Sequence, residues 1–215
     1  MAYQEHLKLL MAGLHTWNRW REEDPSLSPD LTGANLANMN LAGVNFSNAC
    51  LNKANLFACN LHEANLSRAS LHSANLGRTD LSGADLRIAD LTRAVLTGSN
   101  LFGALLHEAI LNEADLSGRD FRDMDLSGAN FFRAHLEEVN FSGSNLSNAF
   151  FGEAHLQMAN FLRANLDNAN FMKADLREAY LKEAVLTRAN FTGANLTGAY
   201  LPSKMKFSRF LHSVK

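Results

Sequence analysis

These 215 residues lack a long apolar run, a cysteine framework and an excess of either charge. Each absence closes a class of answers. No stretch reaches the roughly 18 consecutive apolar residues that a spanning helix needs, so a membrane protein of that kind is excluded. Glu5 and His6 stand where a secretory leader would carry Lys or Arg, and the apolar run from Leu7 to Leu14 is interrupted by Lys8 without a small-residue cleavage site. That stretch is expected to remain in the mature protein as a helix. Two cysteines, Cys50 and Cys59, do not make a disulfide scaffold, and a cytoplasmic location is the expectation. A formal charge of −2 gives neither a basic footprint for direct nucleic-acid binding nor a strong acidic field. There is no Gly-x-Ser-x-Gly, no metal-ligand cysteine spacing and no phosphate loop, so no enzyme and no cofactor are expected.

What is present is a repeat. From Leu31 to Leu201 every fifth residue is Leu or Phe, 35 positions of which 27 are Leu and 8 are Phe. Two residues before this centre, from Ala34 to Ala199, Ala fills 25 of 34 positions, and one residue before it Asn or Asp fills 24 of 35. The unit reads A(N/D)(L/F)xx, as in Ala34-Asn35-Leu36 and Ala164-Asn165-Leu166. On an α-helix a step of five turns about 500° and would scatter the centres over every face. On a flat strand an odd step sends every second centre outward. The chain must therefore turn once per pentad, with Ala and the centre pointing inward, and Asn, Asp and Gly are suited to the turn.

The exceptions set the number of turns per coil. Met39, Cys59, Thr79, Ser99, Arg119 and Val139 interrupt the alanine column at intervals of 20. Val44, Met124 and Ser144 fall in a second column of the same period. Phe131, Phe151, Phe171 and Phe191 form one column of centres, and Phe121, Phe141 and Phe161 another. Twenty residues per coil means four sides, and 35 pentads make about nine coils.

This array resembles the pentapeptide-repeat proteins over residues 29 to about 203. The resemblance implies a right-handed quadrilateral β-helix, an all-β solenoid, with short α-helical caps at one or both ends. The segment Trp17-Asn18-Arg19-Trp20-Arg21, running through Pro25 and Pro29 to Asp30-Leu31, is similar to the helical cap of cyanobacterial members. The chain divides accordingly into a helical cap and entry segment (1–28), the repeat (29–203) and a basic amphipathic tail (204–215).

Solenoid ends expose their apolar interior and need covers. Tyr3, Leu7, Leu10, Leu14 and Trp17 make one apolar helical stripe, followed by an extended passage that Pro25 and Pro29 impose. In the tail Phe207, Phe210, Leu211 and Val214 repeat at helical spacing among Lys204, Lys206, Arg209 and Lys215. This tail reads as a second cap, as a helix pairing two solenoids end to end as in some family members, or as a contact with an anionic membrane. The chain is accordingly expected to be a monomer or an end-to-end homodimer.

Three features stand out on the outside of the coil. Ile110, Phe132, Phe150 and Met172 fall on one wall in successive coils, rimmed by Glu113, Arg133, Glu153 and Lys173, which is the composition of a protein-binding face. A second wall carries Phe102, Leu162, Tyr180 and Tyr200. His135 and His155 share an outward column with Glu137 and Gln157 beside them, a candidate surface metal cluster of His135, His155 and Glu137 set against the bland reading of stacked exposed histidines. Arg119 occupies an inward alanine slot; a buried guanidinium costs several kcal/mol unless paired. It is expected either to bend out toward Asp115, Asp120, Asp123 or Asp125, or to mark a local bulge used for recognition. The remaining carboxylates, Asp80, Asp85, Asp90 and Asp175 among them, occupy turn positions one pentad apart on different walls and do not form acid–base pairs.

The leading function is therefore a non-enzymatic protein-binding or scaffolding solenoid with an unidentified protein partner. Its alternatives are a DNA mimic that engages a topoisomerase, as the gyrase-protecting quinolone-resistance relatives are, and a purely structural role. Residues 29–203 hold 18 acidic and 13 basic side chains, a net of −5, with Lys and Arg interrupting most acidic columns, which weakens mimicry.

Overall fold

The computed structural model describes residues 3–203, and the candidate C-terminal cap residues Phe207, Phe210, Leu211 and Val214 lie outside the described residues. The chain forms two compact units that meet in sequence between Ile110 and Leu111. Both are built by the same local event.

In each pentad the N–H of the alanine-slot residue donates to the carbonyl of the preceding centre, as Ala34 does to Leu31 at 3.0 Å and Ala134 to Phe131 at 3.0 Å. That closes a four-residue turn. Its third residue is left-handed throughout: every fifth residue from Gly33 to Gly198 has φ between 54° and 74°. Positive φ at the third position is the type II pattern. Twenty-four of these residues are not glycine, and they include Lys53, Arg68, Ile88 and Glu113. A left-handed non-glycine residue costs of order 1 kcal/mol, so the array carries this strain at most of its turns and recovers it elsewhere.

The recovery is between coils. All bridges are parallel and join residues 20 apart, such as Asn35 with Asn55 and His135 with His155, so four pentads close one coil. Within each unit a pentad bonds to the next coil through three groups: Leu36 N–H to the Asn55 carbonyl (2.8 Å), Asn38 N–H to Phe57 (2.9 Å) and Asn55 N–H to Ala34 (2.9 Å) are one set. The left-handed residue is thus itself bonded upward. Because the turn consumes two residues of every five, each wall pairs through single bridged residues and not through extended strands.

The Asn/Asp position adds a second ladder. Its side-chain oxygen accepts the N–H two residues on, as Asn65 Oδ1 does from Ser67 (3.1 Å), while its amide can donate to the same atom one coil away, as Asn75 does to Asn55 at 3.2 Å and Asn145 to Asp125 at 3.0 Å. Hydrogen bonds from Ser82, joined by Asn100, hold Asp80 below the usual carboxylate range against its partial burial.

Inside, the centres are almost all fully buried. In the second unit the phenylalanines of one column stack face to face, with centroids 5.0 Å apart for Phe131–Phe151, 4.8 Å for Phe151–Phe171 and 4.9 Å for Phe171–Phe191. The other column, Phe121, Phe141 and Phe161, stacks likewise and meets the first edge-on. The small polar residues in the alanine slots donate to main-chain carbonyls, whereas one atom of Arg119 in the same column, Nε, is buried and makes no hydrogen bond. Thr79 Oγ1 donates to the Leu56 carbonyl, Ser144 Oγ to Phe141, and the Cys59 thiol to Leu36, with burial pushing that thiol's pKa up. Cys50 is half-buried and both cysteines are free.

At the N-terminus the single apolar stripe becomes two helices, α1 (Gln4–Met11) and α2 (Leu14–Glu23). Gly13, at φ 113°, lies in a region L side chains rarely adopt and breaks the helix between them. Of the stripe, Leu10 and Trp17 are buried, Leu7 and Leu14 half-buried, and Tyr3 exposed. The helices do more than cover leucines. The first coil has no coil beneath it, so its outward backbone groups lack partners, and side chains of α2 replace them. Trp17 Nε1 donates to the Asn45 carbonyl (2.8 Å), Asn18 Oδ1 accepts from the Asn45 N–H (2.9 Å), and Arg21 bridges the carbonyls of Leu27 and Ser47 (2.8 Å each). From α1, His6 Nδ1 accepts the Asp30 N–H at 3.0 Å, and the Tyr3 N–H from just before it donates to the Asp30 carbonyl at 3.0 Å. Arg21 is fully buried, and its burial lowers the guanidinium pKa while Asp24 opposes the shift.

Two measurements check this account. No atom lies within 4 Å of a Cβ built on Gly33, so Gly33→Ala tests backbone conformation alone. It should cost about 1 kcal/mol in chemical denaturation, and Ala58→Gly, at φ 54°, should gain a similar amount. Equal stability of all three proteins would contradict a strained turn. Arg21→Ala removes the donors to two half-buried carbonyls and a fully buried side chain and should cost about 2–4 kcal/mol, with hydrogen exchange rising first in the coil that follows α2.

Candidate functional site

The outer surface of a coil is set by three columns per wall: the residue before the centre, and the two after it. On the wall of Phe131, Phe151 and Phe171 these columns bring Phe132, Phe150 and Met172 onto one face of the second unit. Ile110 is the last residue of the first unit and is half-buried there. The strip is flatter than its sequence suggests. Phe132 and Phe150 are both half-buried, their rings nearly parallel with centroids 6.0 Å apart. The reason is Gly152. A Cβ there would sit 2.5 Å from Phe150 Cζ and 3.4 Å from Phe132 Cδ2, so the glycine leaves the niche into which the rings lie. Gly152 is not in the left-handed turn position, and nothing in the pentad pattern marks it; only the fact that it directly follows two phenylalanines could have pointed to it. Met172 is exposed.

Two of the four rim charges pair with each other. Arg133 Nε donates to Glu153 Oε2 at 2.8 Å and its guanidinium lies 4.8 Å from the Phe132 centroid. The result is a braced aromatic pair with an exposed methionine one coil further on. On the other apolar wall, Tyr180 and Tyr200 pack at 5.6 Å with Lys182 near both rings, and Leu162 is half-buried. Phe102, in the first unit, is 83% exposed, the most exposed large apolar side chain among the described residues.

His135 and His155 are bridged neighbours whose rings stack 4.9 Å apart at 11°. Glu137 Oε1 lies 3.6 Å from His135 Nδ1, and its other oxygen accepts a hydrogen bond from Ser117 Oγ at 2.8 Å. The one mark of Ser117 in the sequence is its place 20 residues before Glu137, one coil away. Arg119 is half-buried, and the backbone runs through it without a bulge: its N–H donates to the Leu116 carbonyl (3.1 Å) and its carbonyl accepts from Asn140 (2.9 Å), both as in any other pentad. The recognition bulge considered for it is not formed.

The carboxylates expected at the turns stand instead at the bridged position before each centre, and they are occupied. Arg87 pairs with Asp85, Arg122 with Asp120 and Arg177 with Asp175, each two residues on, at 2.6, 2.7 and 2.8 Å. Hydrogen bonds from those guanidiniums lead in holding Asp85 and Asp120 below the usual carboxylate range; at Asp175 burial opposes most strongly but is outweighed. Ser127 Oγ serves Asp125 in the same way, and the Ser117 backbone N–H donates to Asp115 Oδ1 at 3.2 Å. Among the described residues no helix is long and apolar enough to cross a membrane.

Comparison with known proteins agrees with the periodicity. The family described as pentapeptide repeats (8 copies) matches residues 29–56, 49–87 and 89–128, and that described as a pentapeptide repeat region matches 114–191. HetL, a pentapeptide repeat protein from the cyanobacterium Nostoc sp. strain PCC 7120, is 30% identical over 87% of this chain and 97% of its own, with a TM-score of 0.47. A second pentapeptide repeat protein from Nostoc PCC 7120 is 34% identical over 47% of this chain and 79% of its own, with a TM-score of 0.41. QnrB1, a plasmid-mediated fluoroquinolone resistance protein, is 21% identical over 81% of this chain and 83% of its own, with a TM-score of 0.40. Among curated protein sequences none matches. With its unbroken pentads, its 20-residue coils and these matches, the chain belongs to the pentapeptide repeat family.

Proposed function

We propose that this chain is a non-enzymatic binding solenoid, working in the cytoplasm, whose second unit holds a protein partner against the face of Phe132, Phe150 and Met172. The observation that carries the reading is the ring pair set into the Gly152 niche and braced by Arg133. Aromatic and arginine side chains are enriched at protein interfaces, and a pair already fixed in place loses little freedom on binding. HetL, 30% identical, is involved in heterocyst differentiation regulation, a role that fits a binding protein.

The non-enzymatic part of the proposal rests on the occupied carboxylates, which serve turns and arginines and are not poised for proton transfer. The same pairing weakens the DNA-mimic alternative, because a mimic needs columns of uncompensated negative charge. Residues 1–28 act in this proposal as the N-terminal cap and 204–215 as a separate tail, with the protein a monomer or an end-to-end dimer.

A pull-down from native extract, with the protein beside its Phe132→Ser/Phe150→Ser variant, tests the reading. A partner held by the protein and lost from a variant with an unchanged melting curve is the expected result. A partner retained by both would move the working surface elsewhere. No partner in either case, with gyrase supercoiling unaffected, would favour a structural role.

A further inference from the structure

The wall beside the aromatic face carries an outward column running Asp115, His135, His155, Asp175, each bridged to the next one coil on. The backbone ladder therefore fixes the spacing of the two histidines. Glu137 flanks His135 on the same coil. One ligand atom from each of His135, Glu137 and His155 can be chosen so that all three lie within 4.8 Å of one another. The acids at the two ends of the column are engaged elsewhere: Asp115 by the Ser117 backbone N–H, and Asp175 by Arg177 and Gln157.

We propose that His135, Glu137 and His155 bind a divalent transition ion of the zinc class. Ligands about 2.0–2.2 Å from a tetrahedral zinc stand roughly 3.4 Å from each other. The His135 Nδ1–Glu137 Oε1 separation of 3.6 Å is already close to that edge. Rotation of the exposed His155 ring about its own side-chain torsions supplies the rest, with no backbone change. Two imidazoles and one carboxylate suit zinc, copper or nickel, whereas magnesium and calcium seek oxygen ligands. Three protein ligands leave the fourth position to water.

Two further observations support a site over a chance stack of surface histidines. Ser117 Oγ holds the second oxygen of Glu137 at 2.8 Å, which turns the first toward His135, the kind of support that metal-binding carboxylates receive. The ligands also come from adjacent coils, so an ion would tie one coil to the next and stabilise the folded state by mass action.

Isothermal titration of the full chain with zinc chloride, with thermal unfolding in parallel, tests the site. The expected result is a saturable 1:1 isotherm and a rise in Tm, with no response to magnesium. His155→Gln should weaken binding about tenfold or more, and Ser117→Ala about 10- to 100-fold while leaving Tm without zinc unchanged. His72→Gln, a histidine of the first unit, should bind as the unaltered protein does. Absence of zinc binding, or an isotherm unchanged in His135→Gln/His155→Gln, would overturn the proposal.

Discussion

A turn closed once every five residues, with its third residue held left-handed, is the constraint on which the rest of this protein depends. The turn is costly wherever that residue carries a side chain, as at Lys53, Ile88 or Glu113. It persists because the same residue's N–H bonds to the next coil, along with two others of its pentad. Local strain and long-range pairing are thus two sides of one arrangement. A pentad alone would not hold the turn, and a coil without a neighbour would leave its backbone groups unpaired. Family membership gives the resulting four-sided coil its right hand.

The N-terminal helices follow from the same requirement. A coil with nothing beneath it needs donors and acceptors at set places, and Trp17, Asn18 and Arg21 supply them from one helix while His6 supplies another from the first. The apolar stripe of Leu10 and Trp17 places the helices, and their polar atoms complete the ladder. The surface follows too. Side chains on one wall repeat every 20 residues, so whatever is written at one column is stacked: phenylalanines inside, asparagines at the edge, the histidine pair outside. Function in such a fold is a matter of which residues depart from the consensus on which wall.

Much of this is legible in the sequence because the period is so strict. The substitutions at Met39, Cys59, Thr79, Ser99, Arg119 and Val139 reveal the 20-residue coil without any structure, and the bridges carry the same interval. Other features have no signature at that level. Ten glycines hint at a positive-φ position, but Glu63 and Arg68 carry no mark of the same backbone. The apolar stripe from Tyr3 to Trp17 reads as one helix because hydrophobic spacing runs through Gly13, where the backbone does not follow. Arg21 looks like a solvated helical charge until the open edge of the first coil is in view. Gly152 explains the aromatic pair only once Phe150 is seen lying over it.

The claim that one closed turn per pentad underlies the fold is tested most directly by deletion. Thermal unfolding followed by circular dichroism should compare a variant lacking residues 136–155, a whole coil, with one lacking only residues 149 and 150. The account predicts that the first still melts cooperatively from a folded state. The second should lose its fold, because every later centre is moved out of the interior. A two-residue deletion that remained folded and melted like the whole-coil deletion would contradict it.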